Sequence, residues 1–327
     1  MYWSGAAAAY TRLRRVYGAL ILMYHSISDP VNAPWVFPRN QMSPHAFERQ
    51  MRFLSRHRCV ISMTQLAEWL EAGRDPNAGT VVITFDDGYV DNLVTAAPIL
   101  QKYGLPATLF LPTGYVDRGE TNWADRLHAA VAFRTRHELD LRHIESDRFE
   151  LHDERVCQQT ERIIGCLLIL ADRSHREGML STIEEQLRPS CRAPRLTMTW
   201  DQVRELTNRF SLFEIGGHTV NHIDLQVSDF EIARREIKEC KATIERELHQ
   251  PAQHFSFPYS RSSAESCLMV KEAGFRTAVA AGENVLITTD SPPFALPRVE
   301  APDSLTRLRF VTSGAYPGLS LALTGRS

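Results

Sequence analysis

The chain has 327 residues, 43% apolar, 23% charged and 9% aromatic, with 17 glycines and 17 prolines. These are the proportions of an ordinary globular protein, and they exclude a disordered, collagen-like or coiled-coil chain. Thirty-seven basic residues against thirty-nine acidic ones leave a formal charge of −2, which gives no electrostatic reason to expect nucleic acid or an anionic membrane as partner.

Six cysteines (Cys59, Cys157, Cys166, Cys191, Cys240 and Cys267) are scattered without C-x-x-C spacing. That is the pattern of free thiols in a reducing compartment, not of a disulfide scaffold or a structural zinc site. The apolar Ala6–Ala9 patch precedes Arg12, Arg14 and Arg15, the reverse of a signal peptide. No run approaches the ~18 apolar residues of a membrane span. A cytoplasmic protein with a single domain over 1–327 is the expectation.

In chain order, short apolar runs at 19–24, 80–85, 107–111, 212–215, 255–257 and 276–280 are predicted strands. Their nearly continuous apolar character is that of strands covered on both faces. Ser43 opens a helix carrying Phe47, Met51 and Leu54, and Gly104 closes a later one. Residues 117–195 break the rhythm. They are rich in Arg, Glu and His and show helical patterns, including 155–171 around Ile163, Leu167 and Leu170, with no strong strand. This stretch is expected to be a helical insertion within the one domain. Beyond it, Ser228 with Glu231 and Ser262 with Glu265 match the S-x-x-E capping box, and Gly274 follows a helix. Strand–helix alternation predicts a parallel sheet, open or closed into a barrel.

The chemistry-bearing residues cluster at predicted strand ends. Asp86 and Asp87 follow the strand 80–85 and precede Gly88, which permits a sharp turn. The C-terminal ends of parallel strands are where α/β folds place their sites. Gly216-Gly217-His218-Thr219-Val220-Asn221-His222 follows another strand. Two histidines at i and i+4 share a face if the segment is helical, and the glycine pair would let the backbone bend. With one Asp they make a two-His, one-carboxylate set that leaves positions open for water. His25 closes the first strand, Phe257-Pro258-Tyr259 is a strand running into a turn, and Arg298 in Leu296-Pro297-Arg298 could hold a carboxylate. Each of these alone has an ordinary structural explanation, but their co-occurrence in this order does not.

Together, TFDDG at 84–88, H-T-x-x-H at 218–222, the aromatic-Pro-Tyr turn at 257–259 and LPR at 296–298 resemble the NodB-type polysaccharide deacetylases, carbohydrate esterase family 4. The likeness is greatest to the permuted branch, as in poly-N-acetylglucosamine deacetylases, where a Tyr-His near the N-terminus supplies the catalytic histidine. The likeness covers about 20–116 and 196–300, with 117–195 outside.

The resemblance implies an α/β fold, a deformed (β/α) barrel, and metal-dependent removal of N-acetyl groups from amino sugars of a polysaccharide or glycoconjugate. It assigns Asp87, His218 and His222 as metal ligands, Asp86 as general base, His25 as general acid, and the backbone N–H of Tyr259 as oxyanion donor. The implied cofactor is a divalent ion, zinc first, with cobalt, nickel or manganese as alternatives.

There are departures from the family pattern. Phe255 and Ser256 stand where many members carry an arginine that orients the base, and Arg298 or Arg261 could replace it, Arg298 being preferred. Ser260 replaces the usual glycine. Trp200 reads as structural, and Trp123 as a sugar-stacking candidate or a core residue. Alternatives to the polymer deacetylase are a deacetylase of a small glycoside, nucleotide sugar or lipid-linked sugar, and a catalytically dead carbohydrate-binding relative.

Overall fold

Seven parallel strands follow one another around a closed barrel in sequence order: β1 Ala19–Tyr24, β2 Thr80–Phe85, β3 Ala107–Leu111, β4 Phe213–Gly217, β5 His254–Ser256, β6 Thr277–Ala280 and β7 Leu296–Glu300. β7 closes the ring onto β1 through Ile21 opposite Arg298. The computed structural model describes residues 18–142, 148–282 and 286–313.

The ring is uneven, as a deformed barrel requires. One edge of β2 is shared, its first half pairing with a short outer strand, Cys59–Ile61, and its last two residues with β3. β4 meets β5 only at Gly217 opposite Phe255. The seam is close because Gly216 has no side chain. A Cβ there would lie 2.6 Å from the His254 carbonyl oxygen and from the Phe110 ring. The expected role of the glycine pair as a bend is therefore corrected: both lie inside β4, and they permit close packing.

Six strands fall where the apolar runs put them, to within two residues. β7 was missed as a strand because Pro297 interrupts the apolar pattern and cannot donate to a ladder. The helix Pro44–His57 begins at Ser43, whose side chain accepts from the Ala46 N–H, and Gly104 ends the helix Ala97–Tyr103 at φ +65. The two expected caps are each displaced by one residue, and only the second forms a box. Asp229 caps Phe230–Leu248 and Ser263 caps Ala264–Glu272, the latter in a box with Ser266. Thr199 with Gln202 forms a capping box that the sequence reading passed over.

Residues 117–195 do carry helices, Trp123–Ala132, Glu154–Leu170 and Arg173–Leu187, around a cluster of their own that includes Leu127, Leu139, Leu151, Ile164, Leu168 and Ile183. The strands here are short, Glu138–Asp140 pairing antiparallel with Arg148–Glu150 over three residues each. One expectation fails in part. In the helix Glu154–Leu170 the buried stripe is Cys157, Thr160, Ile164 and Leu168, with Leu167 half-buried beside it as expected, while Ile163 and Leu170 are 39% and 58% exposed. Both faces carry apolar residues at helical spacing, so periodicity alone could not choose between them.

Candidate active site

Along β2, side chains alternate, and the inward set continues past the strand end to Asp86. Arg298 on β7 reaches it across the barrel interior, with Nη1 2.8 Å from Oδ1 and Nη2 2.7 Å from Oδ2. This two-pronged contact is the strongest geometry a guanidinium makes with a carboxylate. Ser256 Oγ on β5 accepts from Arg298 Nη2 at 2.8 Å and donates to Asp86 Oδ2 at 3.3 Å. The serine that departs from the family pattern thus sits directly beside an arginine delivered from another strand. Arg261 is elsewhere engaged, 2.7 Å from Asp224. Burial pushes the Asp86 carboxyl up, yet Arg298 and the neighbouring imidazole of His218 outweigh it and hold it below its ordinary value.

Asp87 turns away from its neighbour because its backbone takes φ +71, followed by Gly88 at φ +66. Its Oδ1 is buried without a hydrogen-bond partner, and two imidazole nitrogens converge on it: His222 Nε2 at 3.3 Å and His218 Nε2 at 3.7 Å. The three donor atoms lie within 4.8 Å of one another. They do not share a helical face. Residues 218–222 form an irregular loop in which Thr219 and His222 adopt φ +62 and +50.

His218 Nδ1 donates to the Ser256 carbonyl at 2.7 Å, which leaves the Nε2 lone pair facing Asp87. Burial pushes the His218 imidazole down to about 4, so it is neutral at pH 7. Burial works to raise Asp87, but His222, His25 and His218 hold it well below the usual carboxylate range. A buried anionic oxygen lacking a partner, with two neutral-capable imidazoles beside it, is a donor set that fits a divalent transition metal.

His25 follows β1 at the same end of the barrel, and its imidazole is among the groups that lower Asp86 and Asp87. Its carbonyl accepts from Asn92 Nδ2 at 2.8 Å, and the adjoining Asp91 accepts from Ser26 Oγ at 2.6 Å and from the Ile27 N–H at 2.7 Å. Tyr259 sits at φ +58. Its hydroxyl donates to the His222 carbonyl at 3.0 Å and accepts from Trp123 Nε1 at 3.0 Å, so the side chain is committed to structure. Trp123, 6% exposed, is accordingly a core residue. Trp200 is structural too, donating to Asp117 at 2.6 Å.

Sequence reasoning missed four residues that shape this site: Asp91, Asn92, Arg176 and Glu236. Glu236 accepts from the N–H groups of Val220 and Asn221 at 2.8 and 2.7 Å. It and Arg176 carry no local signal, since each lies on a helix far from the motifs in sequence. Asp91 and Asn92 lie four residues or fewer beyond Gly88, and an Asp-Asn pair there was the available clue.

The sequence matches the family described as Polysaccharide deacetylase over residues 73–165 and 171–278, more than half of the chain. The chain belongs to the polysaccharide deacetylase family. The match takes in most of 117–195, which the sequence reading had set outside the likeness, and it stops short of His25 and Arg298. Over 92 residues this deacetylase-family chain is 36% identical to YxkH of Bacillus subtilis (strain 168), covering 28% of this chain and only 30% of that one.

Among solved structures it resembles the Streptococcus pyogenes deacetylase PplD in complex with acetate (TM-score 0.60, 17% identity, 90% of this chain and 97% of that one). It also resembles IcaB from Ammonifex degensii (TM-score 0.58, 17% identity, 91% and 97%). At these identities the likeness concerns the fold, the NodB-type (β/α) barrel. Among the described residues no helix is long and apolar enough to cross a membrane.

Proposed function

We propose that this chain is a hydrolase that removes the acetyl group from an N-acetylated amino sugar, releasing acetate and a free amine, with a divalent ion, zinc by preference, held by Asp87, His218 and His222. The observation that carries the reading is the convergence of those three buried donors beside a second carboxylate, Asp86, held ionised by Arg298. When bound, the ion supplies polarisation of the amide carbonyl and a water pKa lowered towards ~7. Asp86, oriented by Arg298 and Ser256, takes the proton of the attacking water. The backbone N–H of Tyr259 donates to the developing oxyanion, and His25 gives a proton to the departing nitrogen.

Both ends of an amide need this help, because its carbonyl is a poor electrophile and its amine a poor leaving group. Acetate in the PplD complex agrees with the product assigned here. All six cysteines are unpaired, in keeping with a cytoplasmic setting.

The test is acetate release from chito-oligosaccharides, poly-N-acetylglucosamine and peptidoglycan fragments and nucleotide sugars, with and without chelator. Asp86→Asn is expected to keep the metal and lose about 10²–10⁴ in turnover, the usual worth of a general base, whereas His218→Ala loses both. Normal turnover in Asp86→Asn would remove the base assignment. Absence of both release and metal binding would convert the reading to a carbohydrate-binding relative.

A further inference from the structure

Among the described residues the largest fully buried side chain is a cation, Arg176, on the insertion helix Arg173–Leu187. Among the described residues no carboxylate pairs with it. Beside the Tyr115 hydroxyl, its partners are carbonyl oxygens: Nε donates to Leu168 at 2.9 Å and Nη2 to Ala171 at 3.3 Å, in the last turn and at the C-cap of the helix Glu154–Leu170. That helix end carries partial negative charge, which compensates part of the cost of burying a guanidinium.

The remaining nitrogen does something else. Nη1 donates to the His222 carbonyl at 3.2 Å and, more weakly, to the Asn221 carbonyl at 3.4 Å. These carbonyls belong to the two peptide planes that flank the Cα of His222. One guanidinium nitrogen thus restrains both backbone torsions of a residue held at φ +50, a conformation that side-chain-bearing residues adopt only under constraint. Tyr259 Oη, itself held by Trp123 of the insertion, is a second donor to the same His222 carbonyl. The guanidinium lies 5.7 Å from the Trp123 ring, so the restraint from the insertion is one packed unit.

We propose that Arg176 is a positioning residue through which the helical insertion sets the orientation of His222, and hence the metal affinity of the Asp87–His218–His222 set. This rests on the reading of that set as a metal site. The imidazole leaves the Cα whose flanking planes Arg176 fixes, and His222 Nε2 must stay near Asp87 Oδ1 for the donors to act together. Partners that orient a ligand typically change metal affinity 10- to 100-fold when removed. A purely structural arginine would alter the stability of the metal-free protein and leave the affinity of the folded protein unchanged.

The experiment is competitive chelator titration of Zn²⁺, and the ligand-field bands of Co²⁺, on folded full-length wild type, Arg176→Met, Arg176→Lys and His218→Ala. Arg176→Met is expected to bind Zn²⁺ at least tenfold more weakly with a changed Co²⁺ spectrum, and Arg176→Lys to recover most of the loss. Wild-type affinity in a folded Arg176→Met protein would overturn the proposal. Should Arg176→Met fail to fold, Tyr259→Phe decides. It removes the second donor to the His222 carbonyl together with the acceptor of Trp123 Nε1, both parts of the same restraint from the insertion, and keeps the backbone N–H, so weakening of several-fold upholds the restraint and unchanged affinity overturns it. Failure of wild type to bind metal more tightly than His218→Ala would instead remove the site reading itself.

Discussion

Exchanging Arg298 for methionine would keep most of the stem and remove the charge that faces Asp86. Both residues are nearly inaccessible, at 8% and 3% exposure. In the wild type, burial raises the Asp86 carboxyl and Arg298 leads the interactions that bring it down again, to a net value below the ordinary one. A carboxyl lowered in the folded state contributes stability that is present above its unfolded pKa, ~3.9, and lost as pH falls through the folded value. In Arg298→Met the burial remains without the partner, so the folded value rises above ~3.9 and the sign reverses.

Removing one partner of a buried pair costs ~3–5 kcal/mol. At ~1.4 kcal/mol per unit this corresponds to about two to four units between the two proteins. The deficit of Arg298→Met should therefore be ~3–5 kcal/mol at pH 7 and shrink, near pH 3.5, towards a packing difference below ~1.5 kcal/mol. Urea denaturation of the metal-free proteins at pH 3.5, 5 and 7, with unchanged m values, measures it. A deficit of equal size at all three would refute the electrostatic argument and leave packing as the cause.

Three other outcomes follow from the geometry. Burial raises Asp91 to about 6, so the stability it contributes is full below ~4 and is lost as pH rises through about 6, some 3 kcal/mol in all. An amide at 91 can still accept from the Ile27 N–H and donate to Ser26, so Asp91→Asn should flatten the fall in urea midpoint between pH 4 and 7, and an unchanged slope would contradict this. On the insertion, Ile164→Ala should cost ~2–5 kcal/mol, whereas Ile163→Ala should stay within ~0.5 kcal/mol; thermal melts giving equal losses would mean the helix buries the other face. At the site, chelation should abolish acetate release by wild type, with activity restored by added Zn²⁺, and chelator-resistant release would count against the ligand assignment.

The barrel was legible because its strands are continuously apolar and bounded by turn residues, a local property that Ala19–Tyr24 and Thr80–Phe85 display in full. β7 was not, because Pro297 suppresses the same signal and only pairing with Ile21 and Val279 reveals the strand. The donor residues were legible because chemistry restricts their types. Arg298 was singled out as the partner of Asp86 through the LPR motif of the resemblance, without its strand being recognised, and the structure brings it to that carboxylate. The i, i+4 spacing of His218 and His222 suggested a helix, and was misleading. A loop with two left-handed residues brings the imidazoles to a ring separation of 4.8 Å without any helical turn.

That loop belongs to a larger pattern. Among the described residues seven non-glycine positions have positive φ, and two of these, Arg188 and His249, end helices. The other five, Asp87, Thr219, His222, Tyr259 and Ser260, lie on the three loops after β2, β4 and β5. Each such conformation costs about 1 kcal/mol or more, and it persists only where surrounding contacts over-determine it.

The restraints are identifiable. Glu236 holds the two N–H groups that follow Thr219, the Thr219 carbonyl accepts from the Thr113 N–H at 3.2 Å, and the Ser260 carbonyl accepts from the Ala281 N–H at 2.8 Å. Arg176 and Tyr259 hold the His222 carbonyl. The restraints on the His218–His222 loop come from outside its motif: from the segment after β3, from the helix Phe230–Leu248, from the insertion, and from the turn after β5. The motifs therefore specify which atoms meet, while distant helices specify at what separation. The same His-x-x-x-His sequence on a barrel lacking Glu236 and Arg176 would supply the donors and lose their convergence.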